Sequence, residues 1–323
     1  MSSGTGTTRT TDGTPDGTPD GTVDGIVAPR RRTGRTAAAG APRATVLYDA
    51  PGPRARRRTL VGSIAATVVI LGLLALVVRR LADAGQLSAE RWGPLLDPST
   101  EEFGQVWRLL GLGLRSTLTA AALAIVGSVV LGTLIGVARM MLPGRTRWPL
   151  VGVIELLRGL PVVIAIYFTS RVLPDVGVDV SGLPGPDGLW YLVIALVAYN
   201  MVVIAEIVRS GVASLPRGQR EAALSVGLTP GQTMRIVLLP QAFRVMLPAL
   251  ISQLVVILKD TSLAAVLGIY PELLNRANRI AQNLDNPIPM FITVGVIFIA
   301  INAALSQVAV VVERRVSRST AHR

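Results

Sequence analysis

Six apolar runs, residues 60–78, 116–138, 151–173, 189–208, 245–268 and 290–312, set what this chain can fold into. At about 1.5 Å of rise per helical residue, each is long enough to cross the roughly 30 Å hydrocarbon layer of a bilayer. Backbone in hydrocarbon must satisfy its own hydrogen bonds, so the runs are expected as helices and the fold as all-α integral membrane. Half of the 323 residues are apolar, aromatics make up 4 % and mean hydropathy is +0.52, a balance that fits a helical membrane protein.

The formal charge of +12 would in a soluble domain raise nucleic-acid binding. Here the arginines flank the apolar runs and no aromatic-studded basic face accompanies them, so no nucleic-acid partner is expected. Clusters at Arg54 to Arg58, at Arg139, Arg145 and Arg147, at Arg209, Arg217 and Arg220, and at Arg314 and Arg315 mark cytoplasmic edges. The segments 81–110, 174–188 and 269–289 are acidic or proline-rich and are expected outside. Both termini then lie in the cytoplasm, and only Arg79-Arg80 sits on the wrong side. Residues 1–58 carry an Asp-Gly-Thr-Pro rhythm with too little apolar surface to offset chain entropy, and read as a disordered cytoplasmic tail. Residues 81–110 should hold one short amphipathic piece, and residues 271–281 a short helix across the outer mouth.

Cysteine is absent and the one histidine, His322, stands beside the end of the chain, so no metal site is expected. There is no GxxxxGK[ST] phosphate loop, no HExxH and no Gly-x-Ser-x-Gly, so no enzyme activity is expected. Within the spans, charges are rare. Glu155 and Arg158 are three residues apart on one helical face and are positioned to pair, and Pro161 should kink that run. Two readings stand: an interfacial pair, or a broken helix lining a pathway. Lys259, the only lysine, adjoins Asp260. These must face protein or water, either as a structural ion pair or as pathway groups.

The longest polar segment between runs in the second half is Arg217 to Pro240. It reads as a helix, a break at Gly227 and a second helix begun by Thr229 and Gln232 at capping-box spacing, with Pro230 at the first helical position. Ala222, Ala223 and Val226 are expected on one face, where small side chains allow close approach of a partner. A solvated connector gives the same pattern.

Glu221-Ala222-Ala223, three residues, Gly227, nine residues and Val237-Leu238-Leu239-Pro240 resembles the EAA loop of importer-type ABC permeases, with Val237 where that family usually has Ile. Arg158-Gly159-Leu160-Pro161, Tyr199-Asn200, Ile204 to Arg209, Gly218-Gln219, Pro240-Gln241-Ala242, Pro248 and Lys259 to Leu263 are similar to the polar amino acid permeases, and the likeness covers residues 114–315. The Tyr199-Asn200 variant leans toward the glutamate branch.

The resemblance implies a type I ABC importer transmembrane domain: a permease core over 111–316, preceded by an added membrane helix over 59–80 and followed by a cytoplasmic tail over 317–323. It implies a second permease subunit, identical or not, two ABC ATPase subunits that hold the ATP and magnesium, an extracytoplasmic solute-binding protein, and a bacterial cytoplasmic-membrane location. No cofactor is expected on this chain; its contacts are with lipid and an amino acid substrate. Gln219, Glu221, Ala222, Ala223, Gly227 and Pro240 would couple to the ATPase. Glu155, Arg158, Pro161, Glu206, Lys259, Asp260, Thr261 and Ser262 are candidates for the translocation pathway. Two other classes remain open: an ion-driven secondary carrier relaying through Glu155, Lys259 and Asp260, and a non-transporting scaffold that recruits a cytosolic partner.

Overall fold

The computed structural model describes residues 52–318, and every regular element among them is a helix. The chain divides after Ala65; the described part of the first unit is the start of helix α1, and the second unit holds the rest of α1 and every later helix. Helix α1 covers Pro53–Asp83 and has no buried residue. Of the expected disordered tail, residues 1–51 lie outside the described residues, and residues 53–58 are not disordered but form the first turns of α1, continuous with the apolar run that follows.

Helix α2, Ala89–Leu96, is the amphipathic piece of the first outer segment. The rest of that segment is not loop: helix α3 runs from Phe103 to Met141, 39 residues and about 58 Å, far longer than the apolar run inside it. Nothing breaks the helix between Phe103 and Arg115, and its Val106, Leu110 and Gly113 are buried at helical spacing. At that length α3 exceeds the roughly 30 Å hydrocarbon layer, and its first third packs against α2, α11 and α12.

The third run contains a sharper feature than a kink. Helices α4 (Gly144–Gly159) and α5 (Val162–Asp175) meet at 105°. Pro161 forces the residue before it out of the helical region, and Leu160 is extended at φ −86°, ψ 134°. At about 24 and 21 Å, neither piece spans the hydrocarbon alone. Helices long and apolar enough to cross number five among the described residues, or six if this bent pair is one span.

Helix α6 (Asp187–Ala213) is the central element, packed on α3, α5 and α9. The 217–240 segment forms α7 (Arg217–Ser225), the single turn α8 (Pro230–Gln232) and a π-helix over Thr233–Leu238. Pro240 brings no N–H for the carbonyl of Ile236, and the turn ahead of it widens: Leu239 donates to Met234, five residues back. Helix α9 (Leu239–Asp260) ends in a turn at Thr261 and Ser262, then α10 (Leu263–Leu267) and a left-handed Gly268. Helix α11 (Leu273–Asn283) and helix α12 (Pro287–Arg318) complete the chain.

Two cores result. The larger joins α3, α5, α6 and α9 through residues such as Ala124, Ile166, Leu196, Ile204, Met246 and Ile257. The second gathers Leu95, Leu110, Leu273, Ile280 and Met290 from α2, the start of α3, α11 and α12. Gly132 and Gly136 bring α3 against α6: a Cβ on Gly132 would lie 2.7 Å from Ile204 Cβ, and one on Gly136 would lie 2.9 Å from the Ala205 carbonyl. Outward faces carry Val126, Leu134, Val296 and Ile299, all at least 60 % exposed, as lipid-facing helices require.

Candidate functional site

The 217–240 segment folds into a knuckle. Helix α7 ends at Gly227, whose φ of +88° is open to glycine and strained for other residues. The reversal is held by backbone bonds from Gly227 to Leu224 (3.0 Å) and from Leu228 to Ala223 (3.2 Å). Thr229 and Gln232 form the reciprocal capping box: Thr229 N–H donates to Gln232 Oε1 at 2.9 Å, and Gln232 N–H to Thr229 Oγ1 at 3.3 Å. The base is closed by Gln241 Nε2, which donates to Gln219 Oε1 at 3.2 Å.

Gln219, Glu221, Ala222, Ala223, Gly227 and Pro240 thus come together in one small unit, but the expected shared face of Ala222, Ala223 and Val226 does not form. Ala223 is buried at 6 % exposure on the inner side of α7, which packs on the π-helix. Ala222 and Val226, four apart, look outward with Glu221, and Val226 is 79 % exposed. The inner alanine fixes the knuckle to its base, and the outer one leaves a small apolar knob with a single carboxylate beside it.

The candidate pathway residues separate into three places. Arg158 and Glu206 share a cavity of about 420 Å³ between α4, α6 and α9, together with Ser210, Ser214 and Met246. The Glu206 carboxylate accepts from Arg139 Nη1 at 3.1 Å and from Arg209 Nε at 3.0 Å, so it ties the C-terminal ends of α3 and α6. Glu155 is exposed on α4 and makes no ion pair with Arg158 among the described residues: at an exposed position such a pair gains little against the side-chain entropy it costs. Pro161 caps the start of α5 at that break. Lys259, Asp260, Thr261 and Ser262 lie at the far end of α9, at least ten residues beyond the cavity-lining Ala249, or about 15 Å along the axis. Lys259 is exposed with no ion-pair partner among the described residues, Asp260 is half-buried, and Thr261 is fully buried and donates to the Leu258 carbonyl at 2.7 Å.

Other residues were not singled out as site candidates. Asn200 is fully buried, donates to the Leu196 carbonyl at 2.8 Å, and accepts from Gln253 Nε2 at 2.7 Å, a polar tie between α6 and α9. An amide inside an apolar run, as at Gln253, is the signal that finds such a tie. Glu272 is also fully buried: it caps α11 by accepting from Leu274 N–H (2.8 Å) and Asn275 N–H (2.7 Å) and faces Thr117 on α3. Burial pushes its carboxyl up to about 7, against the opposing pull of those two backbone bonds. Its place in an acidic, proline-rich outer segment gives no hint of burial.

The helix-break-helix knuckle thus connects two long helices of a bundle that also contains one sharply bent helix pair. The model of the family described as binding-protein-dependent transport system inner membrane component matches residues 128–318, and the chain belongs to that family. It is 35 % identical over 244 residues to the glutamate transport system permease protein GluD of Corynebacterium glutamicum, covering 75 % of this chain and 86 % of that one. It is 32 % identical over 206 residues to the glutamate/aspartate import permease protein GltK of Escherichia coli O6:H1, covering 63 % and 91 %. Among solved structures, the crystal structure of an amino acid ABC transporter with histidines matches with a TM-score of 0.58 and 27 % identity over 66 % of this chain and 96 % of that one. The fold is therefore that of a type I ABC importer transmembrane domain, and the protein is a multi-pass component of the inner membrane.

Proposed function

We propose that this chain is the permease subunit of an ATP-driven importer for a polar amino acid, with glutamate as substrate, and that Glu221, Ala222 and Gly227 link it to a separate ATPase. The knuckle carries the reading: a closed, capped helical turn whose exposed face offers Ala222, Val226 and one carboxylate has the shape of a knob for a groove. The glutamate permeases among its relatives support the substrate.

In this reading two ATPase subunits close on ATP and carry the knuckle with them. Because Ala223 and the Gln219–Gln241 bond fasten it to the π-helix and α9, the motion passes to the spans, which alternate between outward- and inward-open arrangements. Gln219 and Pro240 then serve as the base of the lever. The cavity holding Arg158 and Glu206, with the break at Pro161 above it, lies on the inner half of the route; Glu155, Lys259, Asp260, Thr261 and Ser262 belong to its margins. A second permease subunit completes the route, a solute-binding protein delivers the amino acid from outside, and both termini face the cytoplasm.

The test is uptake of labelled glutamate by cells or proteoliposomes holding the whole assembly. Gly227→Asp should reach the membrane in normal amount, retain ATPase activity and lose uptake. Normal uptake by that variant, or failure of a cross-linker at residue 221 to capture an ATPase, overturns the reading.

A further inference from the structure

Behind the knuckle lies a second cavity, of about 380 Å³, with Arg139, Arg147, Arg209, Arg220 and Thr233 in its wall and no carboxylate among its lining residues. Glu206 engages Arg139 and Arg209. Arg147 and Arg220 have no carboxylate partner among the described residues. Thr233 is 1 % exposed, yet its hydroxyl oxygen has no hydrogen-bond partner there. Four guanidinium groups around one space repel, and a buried hydroxyl with no partner carries an unmet desolvation cost.

One kind of occupant relieves both: a tetrahedral oxyanion, whose oxygens match the guanidinium forks and accept from the hydroxyl. Residues on and beside the cavity wall point to its depth. Trp148, 76 % exposed, follows Arg147, and Met141 on the wall is 40 % exposed; an exposed tryptophan beside arginines marks the headgroup level of a membrane. We propose that this cavity binds a phosphate group through Arg147, Arg220 and the Thr233 hydroxyl, the headgroup phosphate of an anionic phospholipid being the source at that depth. Bound phosphate ties α7 and the π-helix to the first turn of α4, so the set of the knuckle depends on the lipid around it. The residues involved are distinct from the outward face of Glu221, Ala222 and Val226, so the site stands whether or not an ATPase grips that face.

The full chain, purified in a neutral detergent, is titrated separately with phosphatidylglycerol, phosphatidylcholine and inorganic phosphate while its thermal unfolding midpoint is followed. Phosphatidylglycerol should raise the midpoint and phosphatidylcholine should not. Arg147→Gln and Arg220→Gln should each weaken the apparent affinity about tenfold, Thr233→Val should weaken it too, and Arg145→Gln, the same charge change outside the cavity wall, should leave it unaltered. Saturation by inorganic phosphate, with no further gain from phosphatidylglycerol, keeps the phosphate site and assigns it to soluble phosphate. No shift with either phosphate source, a shift that survives Arg147→Gln/Arg220→Gln, or an equal loss in Arg145→Gln overturns the proposal.

Discussion

Gln253 on α9 stands 2.7 Å from the side-chain oxygen of Asn200 on α6, joining two spans through a pair of amides in an otherwise apolar contact. Removing one partner leaves the other's polar atom in an apolar surround; removing both leaves hydrocarbon against hydrocarbon. Gln253→Leu should therefore destabilise by about 1 kcal/mol. The double variant Asn200→Leu/Gln253→Leu should lose less than the sum of the single changes, read from unfolding in mixed micelles. Strict additivity would mean the two amides do not support each other.

The closeness of α3 and α6 makes a second prediction. Gly132→Leu must displace Ile204 and the Met201 carbonyl, 2.8 Å from where a Cβ would sit, and should cost about 1–3 kcal/mol. Gly152→Leu, at a glycine with nothing within 4 Å, should be tolerated. The comparison is read from the folded yield and unfolding midpoint of the two variants in one detergent.

Gly227 and Gly218 separate backbone strain from crowding, since neither has a neighbour within 4 Å and only Gly227 has positive φ. Gly227→Ala should destabilise the knuckle by about 1 kcal/mol. Gly218→Ala, inside α7, should stabilise it slightly by lowering the entropy of the open chain. Hydrogen exchange over residues 217–232 should quicken in the first variant and slow in the second.

Glu272 sets a pH dependence at the start of α11. Its folded carboxyl is raised from an ordinary 4.5 to about 7 by burial, so the folded state favours the protonated form. Below pH 4.5 the group is neutral whether the chain is folded or not, and its contribution is intact. As pH rises toward 7 the unfolded chain gives up the proton first, and stability falls by up to about 3 kcal/mol before levelling off. Unfolding midpoints measured from about pH 5 to about pH 8 should decline in the native protein. In Glu272→Gln, which keeps an acceptor for the α11 amides, that part of the decline should vanish.

What the sequence made legible was local. Hydropathy alone marks every long helix, and Thr229, Gln232 and Gly227 announce the knuckle because capping and positive φ are decided within four residues. What it hid was set by packing across the chain. Pro161 says that a hydrogen bond is missing, but the 105° turn is fixed by Ile166 and Thr169 of α5 being buried within the bundle. Glu155 and Arg158 have pairing distance in sequence, yet Arg158 lines a cavity with Glu206 that only the approach of α4 to α6 creates. Whether Ala222 or Ala223 faces inward depends on the π-helix beneath α7, which no spacing rule signals.

That π-helix also sets the angular phase of everything after it. Its backbone hydrogen bonds reach back five residues instead of four, which inserts one residue into the helical path, and Pro240 prevents the chain from recovering the α pattern ahead of α9. Removing one residue between Thr233 and Leu238 would swing α9 by about 100° about its axis and carry Ala242, Met246, Leu250 and Gln253 off the surface of α6. Six residues outside the bundle thus work as an index mark, deciding which stripe of a 22-residue span meets its neighbour.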